Sequence, residues 1–299
     1  MRSSPESGSR ARRGRIASYL FIAPAIAGCL IFTVYPLVFN FYLSAVKWDL
    51  LSGSRRFVGI ANFARLLGSP AFLAVLSNTA LYMAVVVLVS ISAALLLAAS
   101  LKESTKLNAF VQSAVFTPHI ISLVSVSILW MWIMEPEYGL LNFLLGMLGL
   151  PPSRWLESPD SALASLMIVG VWKTVGYNAL VLLAGIQSIP ASVYEAARLD
   201  KAGKASTFFR VTLPLLSPSL FFLVIVNVAS SFQVFDSVSV MTQGGPMDST
   251  NLLVHWIYQT GFEYYRIGEA AAGSVFLFVI VALATFLNFR IVSGRIHYQ

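Results

Sequence analysis

Long apolar intervals alternate with short polar segments along this chain. Asp, Glu, Lys and Arg are absent from 16–46, 66–101, 107–134, 211–235 and 270–289, and 161–194 contains a single charge, Lys173. A helix needs about 20 mostly apolar residues to cross the hydrocarbon core of a bilayer, and within lipid only a helix or a closed barrel satisfies its own backbone hydrogen bonds. The intervals therefore predict an all-α, polytopic membrane helix bundle of about six transmembrane helices, near 18–40, 78–100, 109–133, 164–186, 216–240 and 269–290. Residues 17–292 then form one membrane-spanning domain, with tails over 1–16 and 293–299.

Composition agrees with that picture. Hydrophobic residues make up 57% of the 299 positions and charged residues 11%, about half the charge of an ordinary soluble domain. The net charge of +7 does not point to nucleic acid, because such binding needs basic side chains gathered on one exposed face, and here they are scattered between apolar runs. They describe orientation instead, since Lys and Arg are retained on the cytoplasmic side. The N-terminal tail, the 101–108 and 187–214 loops and the C-terminal tail hold thirteen, against six on the other side: Lys47, Arg55, Arg56, Arg65, Arg154 and Arg266. Both termini are expected to be cytoplasmic, with the first outer loop basic against the trend. Cys29 follows a stretch resembling a lipoprotein cleavage box, but the chain stays apolar after it, which favours an uncleaved first span. One cysteine allows no internal disulfide, and His119, His255 and His297 have no metal-ligand spacing.

The inner loop between the fourth and fifth spans reads IPASVYEAARLDKAGKASTFFRVTLPLLSP over 189–218. Ser192 and Glu195 have capping-box spacing, so a short helix is expected to start there. Ala196, Ala197 and Ala202 keep it narrow, and Gly203 is the expected left-handed residue that ends it. Helix then resumes, with Pro214 and Pro218 where a membrane helix begins or bends. Physics alone leaves two readings open: a capped interfacial helix with no partner, or a docking element.

The wording of this loop resembles the EAA loop of permeases of binding-protein-dependent ABC transporters, in particular the branch that imports sugars and related solutes, such as the maltose and glycerol phosphate systems. Glu195, Ala196, Ala197, Asp200, Ala202, Gly203, Leu213 and Pro214 match as they stand, while Lys201 occupies the position where the family usually has Gly. PAIAGCLIFTVYPL, FVGIANFARLL and Asn78-Thr79 near the start, and MTQGGPMDSTNLLVHWIYQTGF and GEAAAGS near the end, extend the resemblance over nearly the whole chain.

The resemblance implies a multi-pass protein of the bacterial inner membrane that works with cytoplasmic ATP-binding subunits, a second permease chain forming a heterodimer with this one, and an extracytoplasmic solute-binding protein. Its EAA segment, 189–214, would be the coupling loop, with Glu195, Ala196, Ala197, Asp200 and Gly203 engaging the ATPase. ATP and magnesium would be bound by the partner subunits, so no cofactor is expected in this chain; it has no GxxxxGK[ST] phosphate loop, and Gly203-Lys204-Ala205 lacks the magnesium-binding hydroxyl. No catalytic residue is expected.

Polar residues at membrane depth usually face the bundle interior or water. In span four Lys173, Thr174, Tyr177 and Asn178 share one helical face, and in span five Asn227, Ser230 and Ser231 do the same, with Gln233 and Asp236 beyond. Lys173, Thr174, Tyr177, Asn227, Ser230 and Ser231 are the candidate solute path, offering hydrogen bonds and an apolar ring to a polyhydroxylated ligand. The alternative is interhelical hydrogen-bond glue. Lys173 at that depth needs a partner or contact with water; Asp236 is one candidate partner, and an anionic group of the solute would serve equally. A rival function is an ion-gradient-driven secondary transporter using Lys173, Asp236 and Glu269.

Overall fold

The computed structural model describes residues 21–48, 53–103 and 105–292; the expected tails over 1–16 and 293–299 lie outside them. Five long apolar helices are present among the described residues: span one Phe21–Ser44, span two Pro70–Ser100, span four Pro159–Gln187, span five Ser217–Met241 and span six Ile267–Arg290. Span three is a broken pair. Spans two and four start earlier than apolar content alone predicts, each at a Ser-Pro pair. Ser69 accepts a hydrogen bond from the Phe72 amide with Pro70 in the first turn, and Ser158 does the same for Asp160 with Pro159 following. The cap supplies an acceptor for an otherwise free amide, and proline's fixed φ suits the first helical position.

The expected continuous helix over 109–133 is corrected to Lys106–Ile120 and Leu123–Ile133, meeting at 103°. Pro118 lies inside the first half and cannot donate to the carbonyl four residues earlier. Ile121 and Ser122 then take extended ψ values of 143° and 134°, which end one helix and start the next. Span five is also interrupted, with helix over Ser217–Phe232 and again over Asp236–Met241.

Span four is the central post, packed on span two, on the first half of span three and on span five. Its outer half joins Tyr82, Val86, Val126, Met134, Leu166, Val169 and Val238 in one apolar cluster. Its inner half joins Ala94, Ala98, Leu182, Ile186, Leu216 and Leu223 in another. The crossing with span three is set by Gly176, where a Cβ would come within 1.9 Å of the Val115 carbonyl oxygen. Span one lies at the edge against span six, Phe41 meeting Phe278 edge-on at 5.7 Å.

The outer end is tied by a small knot that accounts for the basic first loop. A two-stranded antiparallel hairpin, β1 Val46–Trp48 and β2 Arg55–Phe57, is followed by the short helix Ala61–Leu67. Buried Asn62 donates through Nδ2 to the carbonyls of Ser44 (2.7 Å) and Val46 (3.0 Å). Arg65 pairs with Glu269 at 2.9 Å and also donates to Asn62, while Arg55 stacks 3.8 Å above the Trp48 ring. Arg65 and Arg55 of the basic first loop thus hold local structure.

Because backbone meets backbone at Gly176, Gly176→Ala is expected to cost about 2 kcal/mol or more through overpacking. Gly146→Ala, with open space around the added methyl, is expected to stay within about 0.5 kcal/mol. Thermal melting of the purified protein compares the two.

Candidate functional site

The loop after span four forms the short helix Ala191–Leu199, and Pro190 occupies its N-cap without any side-chain cap. The expected Ser192–Glu195 capping box is therefore not formed. Proline's φ of −58° lets the helix begin at Ala191, which moves Ser192 from the N-cap into the first turn, and no side-chain cap bond is made. The other end is corrected too. Lys201, not Gly203, takes the left-handed conformation, with φ 55°. The Lys201 amide donates to Arg198 and the Ala202 amide to Ala197, each at 3.0 Å, the paired pattern of a Schellman turn. Gly203, at φ −67° and ψ 161°, is the extended residue before the next helix, Lys204–Thr207. The chain thus bends at Lys201, the position where the resemblance leads one to expect glycine.

The helix presents Glu195, Ala196, Leu199 and Asp200 outward, with Gly203 exposed beyond it. Ala197 is turned inward at 8% exposure, so it packs against the helix bundle instead of lying on the exposed face with Glu195 and Ala196. Tyr194 reaches Thr212 at 3.4 Å and ties the helix to the segment leading into span five. Leu199, 84% exposed, is a candidate contact that the motif did not supply. Its signal was spacing: Leu199 lies three residues after Ala196, on the same side of the helix.

The six candidate path residues do not converge on one site. Span four presents Lys173 and Tyr177 to the break in span three. The Lys173 ammonium donates to the carbonyls of Pro118 (3.0 Å), His119 (3.4 Å) and Ile121 (2.6 Å). Its expected partner Asp236 is thus replaced by carbonyls that the break leaves without intrahelical donors. Tyr177 stacks on His119 with ring centroids 4.7 Å apart. Thr174 returns its hydroxyl to the Gly170 carbonyl of its own helix at 2.8 Å. Asn227 is buried, exchanging hydrogen bonds of 2.9 and 3.3 Å with Asn178, which in turn donates to Ser90 at 3.1 Å. These amides join spans two, four and five as interhelical glue. Ser231 is buried beside them in span five and Ser230 is exposed.

The outer loop after span five is a second built feature. Gln243, Gly244, Met247 and Asp248 all have positive φ, a backbone that persists only where surrounding contacts determine it. Thr250 donates to the Gly245 carbonyl at 2.6 Å, and the Leu253 amide donates to Thr79 of span two at 2.9 Å. His255 lies against Asn251 at 3.0 Å. Burial holds its pKa below the usual imidazole value, with Glu263 and Asp248 opposing the shift.

A non-glycine residue in the left-handed region costs about 1 kcal/mol or more. Lys201→Gly is therefore expected to raise the melting temperature of the purified complex, and Lys201→Val, with its branched Cβ, to lower it. Asn227→Leu strands Asn178 and is expected to cost about 1 kcal/mol. The Asn178→Leu/Asn227→Leu double variant should recover part of that loss in a double-mutant cycle.

The family described as binding-protein-dependent transport system inner membrane component matches residues 90–297. The sn-glycerol-3-phosphate transport system permease protein UgpA of Agrobacterium fabrum is 35% identical over 287 residues, 95% of this chain and 97% of the relative. A probable ABC transporter permease of Bacillus subtilis, YurN, is 34% identical, spanning 91% of this chain and 94% of the relative. Among solved structures, a chain of a bacterial ABC transporter involved in import of the acidic polysaccharide alginate is similar with TM-score 0.81 and 26% identity, covering 96% of this chain and 99% of that one. A chain of the bacterial alginate ABC transporter in complex with an alginate pentasaccharide-bound periplasmic protein has the same fold, with TM-score 0.82 and 24% identity over 94% of this chain and 96% of that one. With a broken six-span bundle, an EAA-type loop and these relatives along its length, the chain belongs to the binding-protein-dependent inner membrane components and is a permease component of an ABC importer.

Proposed function

We propose that this permease carries a sugar or a related polyhydroxylated solute inward, delivered by an extracytoplasmic binding protein and driven by ATP hydrolysed on cytoplasmic partner subunits. The observation that carries the reading is the exposed face of the loop helix, Glu195, Ala196, Leu199, Asp200 and Gly203. It is a short, narrow surface with an apolar tip, suited to a groove on a partner that moves. The names of the relatives support the solute class: glycerol 3-phosphate permeases by sequence, and an alginate importer by structure. ATP and magnesium belong to the partners, since this chain has no GxxxxGK[ST] segment.

The presence of one EAA-type loop in the chain supports a second permease chain, which in this reading is related but different and completes the path. The distribution of basic residues supports cytoplasmic termini, and the bacterial relatives support location in the cell membrane. The binding protein would meet the outer loops over 47–70 and 241–267. The latter offers a tip defined by backbone hydrogen bonds and carrying Met247, 89% exposed. ATP binding would close the partner subunits, push the loop helix and turn the path from inward to outward facing. No covalent bond forms in this chain.

An ion-coupled carrier using Lys173, Asp236 and Glu269 is not favoured. Glu269 is paired with Arg65 and Arg266 in the outer knot, and Lys173 sits on backbone carbonyls.

The test is gentle purification of the tagged chain from its native membrane, with and without Glu195→Lys, reading copurifying subunits and ATPase activity. The native chain is expected to bring an ATPase and a second permease, and the variant to lose the ATPase. A native chain that is stable alone, with no ATPase under conditions that preserve related complexes, would overturn the assignment.

A further inference from the structure

The break in span three gathers groups that no motif brought together. His119 is one of the last residues of the first half-helix, and its imidazole lies on the Tyr177 ring at 17° to parallel, with Phe116 at 5.7 Å on the same half-helix. His119 is exposed, as are Ser113 and Thr117 on that half-helix. The hydroxyls of Ser113 and Thr117 donate only to carbonyls of their own helix, at 2.9 and 2.8 Å, which leaves their lone pairs outward.

Beside His119 is the Lys173 ammonium, near the middle of Pro159–Gln187, too far from either end to reach an interface. It donates to three carbonyls and makes no salt bridge with a carboxylate among the described residues. Carbonyls satisfy its protons but carry only partial charge, so the site keeps a net positive charge. An exposed imidazole beside a net cation at mid-depth is not a surface to turn toward hydrocarbon. It belongs on water.

We propose that the broken tip of span three lines the solute path, with His119 on Tyr177 as a contact platform and Lys173 making that level of the path selective for anionic polyhydroxylated solutes, such as phosphorylated or carboxylated sugars and polyols. Lys173 has two roles that follow from one geometry. It positions His119 by capping the half-helix, and its field acts on whatever passes the exposed ring. A solute's apolar face would rest on the stacked rings while its anionic group is drawn toward the ammonium. The proposal deepens the importer reading and rests on it, but its test requires neither transport nor ATP.

The test is thiol reactivity in the assembled membrane complex. Cys29→Ser removes the chain's one native thiol, and His119→Cys is treated with two water-soluble methanethiosulfonates, the anionic sulfonatoethyl and the cationic trimethylammonioethyl reagents. Rates are normalised to a free thiol and read as the mass shift of this chain. Leu88→Cys, on the exposed apolar face of span two at 67% exposure, is the lipid-facing control. His119→Cys should react with both reagents and Leu88→Cys with neither. The normalised anionic-to-cationic ratio at His119→Cys should be about fivefold or more, because a potential of about one kT separates opposite unit charges by roughly that factor.

Lys173→Gln should return the ratio to about one, and Lys173→Arg should keep it. Ser113→Cys, farther back on the same half-helix, should show a lower ratio than His119→Cys, and this arm stands even if Lys173→Gln fails to assemble. No reaction of His119→Cys with either reagent, equal ratios at Ser113→Cys and His119→Cys, or a ratio unchanged in Lys173→Gln would overturn the proposal. The Glu195→Lys result reads the importer assignment separately.

Discussion

A helix that breaks at membrane depth frees carbonyls that must find donors, and the ammonium of Lys173 answers that constraint in span three. The break leaves the end of Lys106–Ile120 with acceptors lacking intrahelical donors, at a helix terminus that carries partial negative charge. Lys173 supplies three donors there. The contact joins spans three and four beside Gly176, where their backbones meet, and span four is the helix against which spans two and five also pack. Loss of the clamp would therefore disturb the central post as well as the broken span. Lipid disfavours both partners alone: an unpaired ammonium at that depth costs at least about 2.5 kcal/mol, and bare carbonyls are costly too.

Two further devices work at opposite ends of the same post. Inward of the clamp, Asn178 and Asn227 satisfy one another in the buried contact of spans four and five and reach Ser90 in span two. Span four then runs to Gln187 and continues almost directly into the loop helix at Ala191, which Tyr194 ties toward span five through Thr212. Motion at Glu195 and Leu199 therefore has a short, packed route to Lys173 and Tyr177. Outward, the knot of Asn62, Arg65 and Glu269 binds the first outer loop to span six, and the Leu253 amide on Thr79 binds the last outer loop to span two. The outer loops thus form structured surface fixed to the helix tops.

The helix content and number of spans were legible because they depend on local composition: a long charge-free run has one economical conformation in lipid. The loop helix was legible as well, through its motif. Its ends were misjudged for a physical reason. Proline at 190 and serine at 192 could each begin the helix, and glycine at 203 was the obvious left-handed residue, yet the paired hydrogen bonds to Ala197 and Arg198 close only around Lys201. Leu199 could have been identified from its place three residues after Ala196 on the helix. The Ser-Pro starts of spans two and four were also readable, and they lay outside the apolar count because serine and proline lower it.

Candidate path residues were legible as polar positions at membrane depth, but their roles were not. One helical face contains Lys173, Thr174, Tyr177 and Asn178, and periodicity treats all four alike. Packing separates them: Lys173 meets a broken helix, Tyr177 meets His119, Thr174 turns back on its own backbone and Asn178 enters the bundle core. By itself, then, the sequence determined a membrane permease of about six spans with an EAA-type loop helix, because hydropathy and the loop motif are local in the chain. Only the tertiary structure decided that Lys173 seats on carbonyls more than fifty residues away instead of on a carboxylate. Hydrogen-bond partners across helices depend on which backbone groups a neighbour leaves free, and that is known only once the neighbour has broken and packed.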